Sequence, residues 1–144
     1  MFTKIFIENP YTFNELSQST QFEEMNKHIK ISNLVNSNNP VPIIRTTTKY
    51  NNPHQIFPQI YNEIVQNIIN NSNIDELEFN NAMVEIYDEH YRKMGFHTDQ
   101  TLDLKEDTYI ALYSCYEDPE TTEFRSLIVK NKETNEEEEI ILEH

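Results

Sequence analysis

The chain has 144 residues, 37% of them hydrophobic, which is enough for one buried core but not for two independent ones. Its formal charge of −14, from 25 acids against 11 bases, opposes coating of a polyanion unless the basic residues are segregated onto one face. A single glycine, Gly95, rules out a glycine-rich phosphate loop, and a single cysteine, Cys115, rules out an internal disulfide.

Residues 4–8 form a short apolar run of strand type, closed by the turn pair Asn9-Pro10. Thr20-Gln21-Phe22-Glu23 fits a capping box, and Phe22, Met25 and Ile29 follow at helical spacing, so a helix is expected over 20–30. The asparagine-rich, proline-punctuated stretch 33–42 reads as a loop, and 43–50 as a β-type run carrying Arg45 and Lys49. After Pro58, Ile60, Ile64 and Ile68 recur every four residues beside Tyr61, Val65 and Ile69, the stripe of a core-facing helix. The period then changes to two. Ala82, Val84 and Ile86 alternate with Met83, Glu85 and Tyr87, and residues 108–116 repeat the pattern. Residues 124–130 and 138–142, joined by the polar stretch 131–135, read as a hairpin. Mixed elements followed by consecutive strands point to an α+β fold with an antiparallel sheet or barrel, in one domain over 1–144 with 1–39 as an N-terminal extension packed on it.

No stretch approaches the roughly 18 consecutive apolar residues of a membrane span, and the first residues lack the pattern of a secretory signal. An intracellular protein, cytoplasmic or nuclear and without membrane contact, is the expectation.

The chemistry concentrates at Gly95-Phe96-His97-Thr98-Asp99. Residues two apart on extended backbone project to the same side, so His97 and Asp99 can converge on one ion. A neutral nitrogen and a carboxylate suit Fe(II), and a second histidine would complete a facial triad with open positions for oxygen and a cosubstrate. The plain alternative is a surface histidine beside an aspartate. His90, His97 and Asp99 together could also be read as a zinc site, although the segment contains no second ligand pair at a recognised spacing. Cys115 lies on an apolar face, where a packing role outweighs nucleophilic chemistry, and the run 136–139 of four glutamates reads as a solvated strand edge.

Phe79-Asn80 before a strand ending in Tyr87, then Gly95-Phe96-His97-Thr98-Asp99, then Tyr109-Ile110-Ala111-Leu112-Tyr113-Ser114, resembles the AlkB-like branch of the Fe(II)/2-oxoglutarate-dependent dioxygenases. Upstream, Pro42 to Tyr50 is similar to the family's Pro-Arg-x-Thr-x-x-Tyr strand, and downstream 124–129 and 140–142 are similar to its hairpin. The resemblance spans about residues 40–142. It implies a double-stranded β-helix (jelly-roll) with N-terminal helices, His97 and Asp99 as Fe(II) ligands, and Tyr87 as a contact for 2-oxoglutarate. It implies oxidative dealkylation or hydroxylation of a nucleic-acid base or protein side chain by molecular oxygen, with Arg45, Lys49 and Tyr50 on the substrate side.

Departures accompany it. Glu85 stands where the family has asparagine, on Tyr87's side of the strand, and its charge would repel a dicarboxylate. The family's second histidine and its 2-oxoglutarate-binding arginine follow a further strand pair that these residues do not contain, and His144 is placed early for that ligand. Leu142-Glu143-His144 also resembles the start of a histidine tag. The expectation is therefore a β-helix incomplete at its C-terminal side, inactive as this chain alone, and prone to self-association through an open sheet edge. The alternative is a non-catalytic β-helix fragment serving as an interaction module.

Overall fold

The computed structural model describes residues 3–8, 10–36, 50–52, 54–99 and 104–144. Its elements, in chain order, are α1 (Phe13–Gln18), β1 (Glu23–Asn26), β2 (Ile29–Val35), β3 (Gln55–Ile56), α2 (Gln59–Ser72), β4 (Asn81–Tyr87), β5 (Ser126–Lys130) and β6 (Glu137–Ile141). The fold is α+β with two open sheets; among the described residues no closed jelly-roll or β-helix forms.

The larger sheet is built around β2. β4 runs antiparallel along one whole edge, from Ile29↔Tyr87 to Val35↔Asn81. The opposite edge is shared: β1 pairs antiparallel with the first residues of β2, and β3 pairs parallel with Leu34 and Val35. A strand bonded on both edges has its backbone polar groups satisfied and tolerates burial of both faces. Ile29, Ile31, Ser32, Leu34 and Val35 are accordingly all buried.

Helix α2 covers one face. Tyr61 and Ile64 are buried against Leu34, Phe57 and Leu16, with Ile60, Val65, Ile68, Ala82 and Val84 packed around them. The isoleucine stripe therefore serves the core, as its spacing predicts. The helix starts after Pro58, whose extended backbone suits an N-cap, and stops at Asn73, left-handed at φ 54. Tyr61 also reaches across to α1, its hydroxyl donating to the Leu16 carbonyl at 2.9 Å.

Residues 20–30 are not helical. They form the β1–β2 hairpin, and the groups that looked like a capping box have other partners. The Thr20 hydroxyl lies 3.0 Å from the Ser32 hydroxyl and donates to Gln55 Oε1 at 2.9 Å, while the Glu23 carboxylate accepts the backbone N–H groups of Asn51 and Asn52. The same four-residue pattern works eight positions earlier: the Thr12 hydroxyl accepts from the Glu15 N–H, and the Glu15 carboxylate accepts from the Thr12 N–H, starting α1.

Gln55 completes this corner. Its amide accepts the Gln21 N–H and donates to the Gln21 carbonyl, as a neighbouring strand would, and donates also to Ser32 Oγ at 3.1 Å. Ser32, buried within the sheet, thus has its hydroxyl satisfied.

The loop expected over 33–42 begins later than expected, because 33–35 are the end of β2; the β-type run expected over 43–50 lies outside the described residues except for Tyr50. Neither 4–8 nor 108–116 is a strand, since no neighbour among the described residues supplies ladder hydrogen bonds. The second of these segments still uses half of its alternation: Tyr113 and Cys115 pack on the core, whereas Tyr109, Ile110 and Leu112 are 54%, 61% and 64% exposed.

The β5–β6 hairpin forms as expected, in register from Ser126↔Ile141 to Lys130↔Glu137. Asn131 organises its turn, accepting the N–H groups of Glu133 and Thr134, and Asn135 takes the left-handed conformation at φ 60. It adds nothing to the core, and is tethered instead by the Tyr116 hydroxyl, which donates to the Leu142 carbonyl and accepts from the Arg125 N–H.

This division sets the stability. Leu34→Ala, at a site with 0% exposure, should lower unfolding free energy by about 2–5 kcal/mol. Ile128→Ala, on the exposed hairpin, should cost about 0.5 kcal/mol or less, both read from urea titrations.

Burial raises the phenol pKa values of Tyr61 and Tyr113 above the ordinary 10.0. Above pH 10 the unfolded chain then loses protons that the folded chain keeps, so stability present below that pH should fall as pH rises through it. Tyr113→Phe should make the decline shallower in alkaline melts.

Candidate metal centre

After Tyr87 the chain leaves the sheet and runs without regular structure to Asp99. His97 Nε2 comes within 3.4 Å of Asp99 Oδ1. Two donors bound to one ion through bonds of about 2.1 Å are separated by roughly 3.0–3.4 Å, depending on the angle at the metal. The pair therefore has the spacing of cis ligands. His97 Nδ1 sits 3.0 Å from the Gly95 carbonyl, which fits a proton on Nδ1 and leaves Nε2 as the lone-pair nitrogen. Both side chains are more than half exposed, at 55% and 62%, so an ion could reach them from solvent.

No third donor joins them among the described residues. His144, the terminal candidate, accepts the Tyr116 N–H on its Nδ1 at 3.0 Å. His90 does not group with His97 and Asp99 as the zinc reading required; it belongs to a different cluster.

Tyr87 ends β4 on the face carrying Glu85, and its hydroxyl donates to the Glu85 carboxylate. The alternation thus places the two side chains together, as expected. The Tyr87 ring stacks on Tyr91 with centroids 4.9 Å apart, and the Arg125 guanidinium lies 5.8 Å from its centroid on the same ring system. Burial first, then Glu85, pushes the phenol pKa upward, so Tyr87 acts as a neutral donor across the physiological range. Arg45 and Lys49 lie outside the described residues.

The second cluster was not visible in the sequence. His28, in the turn between β1 and β2, places Nδ1 2.7 Å from Asp88 Oδ2. His90 Nδ1 lies 3.9 Å from Asp88 Oδ1, and the two imidazoles stack with centroids 5.8 Å apart. Asp88 is fixed from both sides: its N–H donates to the His28 carbonyl, and its Oδ1 accepts the N–H groups of His90 and Tyr91. The hydrogen bond with His28, aided by these backbone donors, holds its carboxyl below the ordinary carboxylate value. His28 and Asp88 meet because the β2–β4 register, ending at Ile29↔Tyr87, brings together the residue before β2 and the residue after β4.

The chain matches no protein-family model, no curated protein and no solved structure.

The contact between Tyr87 and Glu85 can be measured directly. Tyr87→Phe and Glu85→Ala should each destabilise the protein, and the double variant should cost less than the sum. A coupling of about 0.5–1.5 kcal/mol is expected from denaturant titrations arranged as a double-mutant cycle.

Proposed function

We propose that this chain carries the iron-binding motif of an AlkB-like Fe(II)- and 2-oxoglutarate-dependent dioxygenase. The observation that carries the reading is the 3.4 Å approach of His97 Nε2 to Asp99 Oδ1, on a segment that follows directly from the strand bearing Tyr87. A nitrogen and a carboxylate at cis-ligand spacing, open to solvent, suit Fe(II) in donor type and access. They supply two of the three positions of a facial triad. The two open sheets would then be parts of a double-stranded β-helix.

When bound, Fe(II) with 2-oxoglutarate supplies the two-electron oxidation by molecular oxygen that hydroxylates or dealkylates a substrate. The protein's own contributions are positional. The Gly95 carbonyl orients the His97 ring, and Tyr87 offers a neutral hydroxyl as a cosubstrate contact. Glu85 competes for that hydroxyl, so binding of a dicarboxylate requires Tyr87 to turn away from it. The substrate class is a nucleic-acid base or a protein side chain.

A second reading, a non-catalytic β-helix fragment that acts as an interaction module, is favoured by two observations. Among the described residues no third donor groups with His97 and Asp99, and Glu85 already engages the Tyr87 hydroxyl.

Succinate release separates the two readings. The full-length protein, loaded anaerobically with Fe(II) and then given 2-oxoglutarate and oxygen, should release succinate. His97→Ala and Asp99→Ala should each reduce release by about 100-fold or more, since even outer partners of metal ligands are worth about 10–100-fold. Tyr87→Phe should raise the KM for 2-oxoglutarate more than it lowers kcat. No succinate from the iron-loaded protein would leave the interaction module as the function.

A further inference from the structure

Among the described residues, the one set of three or more histidine, cysteine, aspartate or glutamate side chains close enough to share an ion is His28, Asp88 and His90. We propose that these three form a second divalent-metal site, distinct from His97 and Asp99, for a borderline cation of the Zn(II) class with water completing its coordination.

Donor chemistry selects the cation. Two imidazoles and one carboxylate suit zinc and its transition-metal neighbours, whereas calcium and magnesium require oxygen ligands throughout. Geometry supports closure on an ion. The three ligand atoms lie within 4.8 Å of one another, and a tetrahedral ion with bonds of about 2.1 Å needs donors roughly 3.4 Å apart. His28 and Asp88 are closer than this, at 2.7 Å, because a proton now bridges them; the ion would replace that proton and spread the pair slightly. His90 is the most exposed of the three, at 67%, and can rotate in from its 3.9 Å separation.

Placement is the second support. The carboxylate is held by two backbone N–H groups, which fix a ligating oxygen in the way outer partners orient metal ligands. Glu89 adds a further negative charge 3.9 Å from His90 Nε2, and Arg125 contacts the Asp88 carbonyl rather than its carboxylate. A net charge of −14 draws cations to the surface generally. An ion here would join the β1–β2 turn to the end of β4, at the root of the segment that leads to His97. It would act as a staple for that segment.

The test begins from the His97→Ala/Asp99→Ala double variant, which removes the other donor pair. Titrated calorimetrically with Zn(II), this protein should bind one equivalent and melt at a higher temperature once loaded. Adding His28→Ala or His90→Ala should weaken binding by about 10-fold or more, while His54→Ala, at a histidine outside the cluster, should leave it unchanged. Because His28→Ala could disturb the hairpin, the unaltered protein provides an independent readout: Co(II) should broaden the imidazole proton signals of His28 and His90 together. Absence of Zn(II) binding in the double variant, binding insensitive to both His28→Ala and His90→Ala, or Co(II) that leaves the His28 and His90 signals sharp would each overturn the proposal.

Discussion

Everything in the larger sheet depends on β2 being hydrogen-bonded along both edges. A strand with Ile31 and Val35 at 1% exposure and Leu34 at 0% cannot leave its N–H and C=O groups unpaired, because a buried orphan costs about as much as several such contacts contribute. β4 pairs the whole of one edge, and β1 and β3 divide the other. The buried polar residue of β2, Ser32, is satisfied by Thr20 and Gln55. The helix α2 then needs only to present its apolar stripe to the Leu34 face.

The same pairing generates the corner at which His28 and Asp88, ligands of the proposed second metal site, meet. β2 and β4 are antiparallel, so the N-terminal end of one lies beside the C-terminal end of the other, and His28 and Asp88 meet just past the last registered pair. From there the chain continues through His90 and Tyr91 to His97 and Asp99. The two donor groups differ in origin. The approach of His97 to Asp99 is local, across two residues of one irregular segment. His28 and Asp88 are 60 residues apart and need the sheet.

The β5–β6 hairpin follows different physics. Its strands are exposed along almost their whole length, and it is attached through Tyr116, Arg125 and Lys4 rather than through apolar burial. A two-stranded hairpin alone is marginal in water. Ile128, Val129 and Ile141 stay exposed, beside the glutamates of β6 whose charge discourages pairing with another chain.

The sequence by itself determined the elements whose signals are local. The stripe of Ile60, Ile64 and Ile68 specified α2, the alternation from Ala82 to Tyr87 specified β4 and its facing, the polar stretch 131–135 between two apolar runs specified the β5–β6 hairpin, and His97 and Asp99, two residues apart, lie within 3.4 Å of each other. Tertiary structure decided what local patterns leave open. Thr12-x-x-Glu15 and Thr20-x-x-Glu23 are the same capping signal, yet only the first caps a helix, because Thr20 and Glu23 find partners in Ser32, Gln55 and the backbone of Asn51 and Asn52. Residues 108–116 alternate as well as β4 does, but a strand requires a neighbour to complete its hydrogen bonds, and here it has none among the described residues. The cluster of His28, Asp88 and His90 had no counterpart in the sequence for the same reason: their proximity comes from the register of β2 against β4, which is set by which long-range pairing buries the most apolar surface with its polar groups satisfied.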